Sequence, residues 1–303
     1  MNTIVNRIKI FLLLSVVLWL AFQTFHEESL FSAEPLQEEE KPEVISLLGK
    51  KLYAAPAEGE ELLKLQNELK EAIKKVEADP ENPEHLIMYG RRLAYLWKYH
   101  DAIDVYTRGI KIHPDQAMLY RHRGHRYISI RKFDLAVKDL TKASELNDHD
   151  FDIWYHLGLA HYLNGEFENA LGAYQNCLKS AQDDDAKIAI SNWLYITLRR
   201  LGKKEEAAEV LDKIKEGMGV VENQSYYDLL FFYKGLKSEA EIEALAEVSD
   251  LDMATIGYGI GCWHLYNNNS TKAKVYFEKI MKGRYWPAFG FIAAEAELFR
   301  LKE

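Results

Sequence analysis

WYHLGLAHYLNGEFENALGAYQNC, residues 154–177, holds the spacing from which the architecture follows. Its Gly158 has counterparts at Gly124 and Gly90, each 34 residues upstream of the last. Ala170 has counterparts at Ala136 and Ala102 at the same interval, and Tyr174, Leu140 and Tyr106 each stand four positions after the alanine. Pro114 and Pro80 keep the same step. Further along, Ala207, Ala240 and Ala273 recur every 33 residues, after a slip near Asp183-Asp184-Asp185. Five residues before these alanines stand Gly202, Gly235 and Asn268, as Gly165 stands before Ala170, so turn residues hold a fixed offset. A period of this length is the signature of a repeat architecture.

Helix geometry gives the period its meaning. Leu86, Tyr89, Leu93 and Leu96 fall at three- and four-residue steps and share one helical face, as do Ala102, Val105, Tyr106 and Gly109-Ile110. A short turn, Lys98 to His100, separates the two amphipathic segments. Glycine inside a helix costs about 1 kcal/mol against alanine, so its regular return implies a compensating close approach of the paired helices. Such a hairpin cannot bury its apolar face alone, and stacking the hairpins makes a shared core. The spacing predicts repeats over 83–116, 117–150, 151–184, 188–220, 221–253 and 254–287, the fifth being irregular because Asp228 takes the place of the small residue. Glu61 to Ala78 forms an amphipathic helix ahead of them, and Pro287 opens a last helix suited to closing the stack.

With Trp154, Leu157, Gly158, His161, Gly165, Ala170, Tyr174 and Cys177 in place, the pattern resembles the tetratricopeptide repeat family. Leu86 and Tyr120 stand where Trp154 stands in the third repeat, Arg123 replaces a usually apolar residue, and His161 occupies a usual Tyr position. The resemblance implies an all-α, right-handed solenoid of stacked helix-turn-helix repeats with a C-terminal capping helix. It also implies that the first helix of each pair lines a concave face on which family members bind extended peptides. The positions it marks there are Arg91 and Tyr95, then Arg121, His125 and Ser129, then Tyr155 and Tyr162, then Asn192, Arg199 and Arg200, and finally Tyr258 and Tyr266.

That surface is basic and aromatic in a chain whose 303 residues carry a net charge of −9. The segment Tyr120 to Tyr127 contains no acidic residue. Guanidinium groups present paired donors to carboxylates, and tyrosines add flat contact area, so the expected ligand is an acidic peptide or a free C-terminal carboxylate. The peptide-binding set is Arg91, Tyr95, Arg121, His125, Tyr155, Tyr162, Asn192 and Arg199. The competing expectation is that the arginines pair internally, with Asp101, Asp104 or Asp139. The acidic balance argues against general nucleic-acid binding, which is driven by Lys and Arg.

The N-terminus is organised differently. Arg7 and Lys9 precede an apolar run from Ile10 to Phe22, broken only by Ser15, and Glu27-Glu28 follow. This reads as an export signal over residues 1–33, either cleaved near Phe31-Ser32-Ala33 or kept as a membrane anchor. The expected address is periplasmic or secreted, or anchored to the cytoplasmic membrane. Residues 34–60, with Glu38-Glu39-Glu40, Pro35, Pro42 and Pro56, read as an acidic linker, although Val44-Ile45, Leu47-Leu48 and Leu52-Tyr53 could dock on the body. The solenoid then occupies 61–303.

Catalytic and metal motifs are weak. His122 and His125 lie three apart without a third local ligand, no Gly-x-Ser-x-Gly turn occurs, and Gly257-Tyr258-Gly259-Ile260-Gly261 lies within a helical repeat. Cys177 and Cys262 fall in separate repeats and read as packing residues. No cofactor and no enzyme activity are expected. The leading expectation is a scaffold or adaptor for another protein. The alternatives are self-assembly through Tyr285-Trp286 and Phe289 to Phe291, and an accessory subunit of an enzyme complex.

Overall fold

The computed structural model describes residues 41–55 and 57–302. The segment read as export signal or anchor, and the start of the acidic linker, lie outside the described residues.

Six of the described helices begin at a side chain that accepts from their free N–H groups. Helix α1 spans Gly59–Ala78. The first hairpin is α2 (Pro83–Tyr95) and α3 (Tyr99–Ile112), and Asn82 caps α2 by accepting from the Glu84 and His85 amides. The second is α4 (Ala117–Ser129) and α5 (Phe133–Leu146). The third is α6 (Phe151–Leu163), capped by Asp150, with α7 (Phe167–Ser180). Asp183 opens α8 (Asp184–Arg200), which pairs with α9 (Lys204–Asp212). The fifth hairpin is short, α10 (Gln224–Tyr233) and α11 (Glu239–Ala246), the latter opened by a reciprocal Ser238/Glu241 capping box. Ser249 and Asn269 cap α12 (Asp250–Tyr266) and α13 (Ser270–Ile280), and α14 (Phe289–Arg300) closes the order.

Apart from α9 and α10, consecutive helices pack on one another, and the first helices of the early hairpins also touch their successors, α2 with α4, α4 with α6 and α6 with α8. This is the all-α solenoid. The 34-residue glycines supply the close approach. A Cβ added at Gly90 would lie 2.4 Å from the Tyr106 ring, at Gly124 2.7 Å from Leu140, and at Gly158 2.3 Å from the Tyr174 ring. The large side chain of each second helix therefore rests on bare backbone of the first.

The turn inside each hairpin needs one residue at positive φ. Gly165, Gly202 and Gly235 fill it without strain, whereas Trp97 (φ 58°), Arg131 (φ 62°) and Asn268 (φ 60°) adopt it as non-glycine residues. Trp97 and Arg131 have a tertiary reason to do so. The Trp97 ring meets the edges of Tyr285 and Trp286 at 5.6 and 5.3 Å, and Arg131 bonds Glu295 of α14.

These contacts arise because the solenoid curls tightly enough to meet its own end. α8 touches α12 past the short fifth hairpin, and α14, besides packing on α12 and α13, crosses to α6. Gly290 permits the seating of α14, since a Cβ there would stand 1.8 Å from the Ala254 carbonyl oxygen, backbone that cannot yield. Of the aromatic residues read as a self-assembly surface, Trp286 and Phe291 are spent in this closure, at 3% and 2% exposed, while Tyr285 stays exposed and Phe289 half-buried.

A two-stranded antiparallel hairpin, β1 (Val44–Ile45) and β2 (Lys51–Leu52), clasps the closure. Val44 and Leu52 enter the core, Trp286 Nε1 donates to the Tyr53 carbonyl at 2.8 Å, and the His100 amide donates to Glu43 at 2.8 Å. The tether expected over 34–60 is thus corrected for residues 42–54. Its apolar islands bury enough surface, with these polar clips, to order it on the body. Among the described residues no helix is long and apolar enough to cross a membrane.

Candidate functional site

Most residues marked for peptide contact lie on the first helices, and the closure sorts them into two groups. Over repeats three to six they are interior. Tyr162 is fully buried and its hydroxyl accepts from that of Tyr258 at 2.9 Å, joining α6 to α12. Trp193 of α8 sits between Tyr162 and Tyr258, with ring centroids 5.6 and 6.0 Å away. Asn192 is 3% exposed, and its Oδ1 has no hydrogen-bond partner among the described residues. Arg199 donates to Tyr195 Oη at 2.9 Å and to Asn267 Oδ1 at 3.3 Å, and Tyr266 is half-buried beside it. Arg200 pairs with Glu297 of α14 at 3.0 Å. Tyr155 is buried against Phe289. The expectation of an open groove at Tyr155, Tyr162 and Asn192 is therefore corrected: inner faces of α6, α8 and α12 pack on one another and on α14.

Two buried carboxylates make the closure specific. Glu295 accepts two bonds from the Arg131 guanidinium, at 2.8 and 3.2 Å, and a further one from the Leu47 amide of the β-hairpin. Arg131 also donates to the Trp286 carbonyl at 3.1 Å. Glu297 is shared by Arg200 and Arg300, the latter at 2.9 Å. In effect the chain presents its own acidic helix to its own inner arginines. Sequence reasoning named neither Arg131 nor the two glutamates. A signal existed: α6, α12 and α14 carry apolar residues on all sides, and a helix of that kind is buried all round.

Over repeats one and two the face stays cationic. Arg121 is buried and bonded to Asp152 at 2.8 Å, which removes it from the open set, and Ser129 is buried with its hydroxyl on the His125 carbonyl. Arg91 donates to Tyr95 Oη at 3.1 Å, and Tyr95 is 43% exposed. Arg126, half-buried, lies 5.1 Å over the Tyr99 ring, and burial pulls its pKa below the ordinary guanidinium value. Among the described residues neither Arg91 nor Arg126 has an ion-pair partner.

Histidines floor this region. The His125 and His156 rings lie 4.2 Å apart under Phe289, and His122 stacks on Tyr106. Burial, with Arg121 and Arg126 adding repulsion, holds His125 and His156 well below the ordinary histidine value and pushes His122 down to about 2. All three are neutral packing groups near pH 7. Among the described residues no group of three or more His, Cys, Asp or Glu is placed to hold a metal. Cys177 and Cys262 are both free and buried, and burial pushes the Cys262 thiol up to about 12, the opposite of what a nucleophile needs.

Comparison with known proteins agrees with this architecture. A tetratricopeptide repeat family model matches residues 122–186. The small glutamine-rich tetratricopeptide repeat-containing protein 2 of Saccharomyces cerevisiae is 35% identical over 101 residues, 33% of this chain and 29% of its own length. Serine/threonine-protein phosphatase 5 of Homo sapiens is 30% identical over 91 residues, 30% of this chain and 18% of its length. The chain spans under a third of the length of these relatives. Among solved structures, YrrB, described as a TPR protein with an unusual peptide-binding site, is 16% identical with a TM-score of 0.45, covering 70% of this chain and 91% of that one. MamA from Desulfovibrio magneticus is 22% identical with a TM-score of 0.42, covering 52% and 94%. The family match lies at the centre of the run of 34-residue hairpins: residues 122–186 carry tetratricopeptide repeats, within a solenoid of the same hairpin design.

Proposed function

We propose that the chain is a non-enzymatic protein-binding scaffold, exported or membrane-anchored through its N-terminal segment, that holds an acidic segment of a partner at the inner face of its first two repeats. A tetratricopeptide fold supports a protein-protein interaction role in general. The observation that carries the finer reading is the difference in how the inner arginines are used. Arg131, Arg200 and Arg300 are bonded to glutamates of α14 and Arg121 to Asp152, while among the described residues Arg91, beside the exposed Tyr95, and the more deeply set Arg126 have no carboxylate partner. A carboxylate delivered there would find Arg donors flanked by the exposed Tyr95 ring.

The test is a pull-down from extract of the source with the full chain beside Arg91→Glu, whose helicity and melting should match the parent. A polypeptide held by the parent, released by added salt and lost by the variant would be the expected partner. Retention by both would place the interface elsewhere. For the address, deleting residues 1–33 should leave the chain in the cytosolic fraction, and an unchanged distribution would refute export through that segment.

A further inference from the structure

Helix α1 is half of a hairpin. Shifted by the 34-residue period, its residues 65–78 register on α3, Tyr99–Ile112, so that Glu68 and Ala72 correspond to Ala102 and Tyr106. In α3 those two residues are buried at 0% and 1% exposure, with Tyr106 lying on Gly90 of the first helix. In α1 Glu68 is part-exposed and Ala72, 4% exposed, sits at the floor of an open groove of about 670 Å³ running between α1 and α2, with Met88 and Arg92 on its α2 wall. Among the described residues no helix fills this slot, and Leu63 on its rim is 60% exposed. The place is that of a missing first helix.

We infer that the occupant is α1 of a second copy of this chain, packed antiparallel about a two-fold axis so that each copy fills the other's slot. The groove side of α1 is complementary to itself when reversed. With the axis between Asn67 and Glu68, Glu60 comes opposite Lys75 of the second copy, and Lys64 opposite its Glu71; by symmetry each pair occurs twice. Leu63 comes opposite Ala72, large against small, the same device that seats Tyr106 on Gly90. Glu71 now bonds only its exposed neighbour Lys74, at 2.7 Å, a local pair that costs little to exchange. Glu68 also comes beside its own copy at the axis, and there its charge is met by Arg92 at 2.9 Å in each copy. A helix from an unrelated protein has no reason to match a charge pattern that maps onto itself. An isologous contact of this kind also closes at two copies and does not propagate.

The full chain carrying Asn67→Cys, oxidised mildly, should form a disulfide-linked species of twice the chain mass, since the two positions flank the axis; Gln66→Cys, exposed one residue on and outside the groove, should not. Cys177 and Cys262 are buried and do not compete. Adding Lys64→Glu to Asn67→Cys should lower the dimer yield about tenfold, because both symmetric pairs become repulsive, and adding Glu71→Lys on top should restore it. Equal cross-linking at both positions, no dimer at Asn67→Cys, failure of the charge swap to restore it, or capture of a different polypeptide would each overturn the second copy as occupant. None of these outcomes depends on Arg91 or an acidic partner.

Discussion

The two ends of this solenoid solve the same problem in opposite ways. A stack of helix hairpins leaves an apolar face bare at each end. At the C-terminal end the chain folds back: α14 is buried along most of its length, crosses to α6, and locks with Glu295 on Arg131 and Glu297 on Arg200. At the N-terminal end α1 packs chiefly on α2 among the described helices, keeps Leu63 exposed, and carries most of its charges at the surface. One end is sealed by desolvated ion pairs that demand fixed geometry; the other leaves an open groove beside α1, where the proposed second copy would dock.

If that division is right, breaking the sealed end should cost most. Glu295→Ala would leave the Arg131 guanidinium, 2% exposed, without its carboxylate and free the Leu47 amide of the β-hairpin. A loss of about 3–5 kcal/mol is expected in urea unfolding, the usual penalty for stranding a buried charge. A loss under about 1 kcal/mol would mean that α14 is not held this way.

Acid should weaken the fold by another route. His122 and His156 have folded pKa values lowered below 6.5, chiefly by burial with Arg121 adding repulsion, so the folded state keeps them neutral while the unfolded chain takes up protons. Their stabilisation is intact above pH 6.5 and drains away as pH falls below it, by about 1.4 kcal/mol per pH unit for each. Unfolding midpoints measured from pH 7 down to 5 should decline accordingly, and His156→Gln should reduce the slope. A flat profile would show that these rings are not sealed from water.

At the open end, Leu63→Ala should change stability by less than about 0.5 kcal/mol, since an exposed side chain contributes little to the fold. A larger loss in a monomeric sample would mean that α1 is part of the core rather than a docking element.

Much of the hairpin solenoid was legible from residue spacing, because the cause is local and periodic. Gly90, Gly124 and Gly158 recur where a large residue of the second helix must lie on backbone, and Asn82, Asp150 and Asp183 stand where helices start. The candidate site was legible only in part. Arg91 and Tyr95 are where helical register puts them, on an accessible face. Arg121, Tyr155, Tyr162 and Asn192 lie on the same inner side of later first helices, at other positions of the repeat, yet are buried. Periodicity says which side of a helix a residue occupies, and it is silent about what else arrives there.

By itself the sequence determined the repeat, the helix type and the family, since each follows from interactions between residues close in the chain or one period apart. Only the tertiary structure decided that the coil closes on itself. That outcome depends on curvature summed over six hairpins, on the short fifth hairpin that lets α8 reach α12, and on Arg131 meeting Glu295 across 164 residues of chain. A contact so distant leaves no period to read, because either partner alone is an ordinary charged residue until the fold brings the two out of water together.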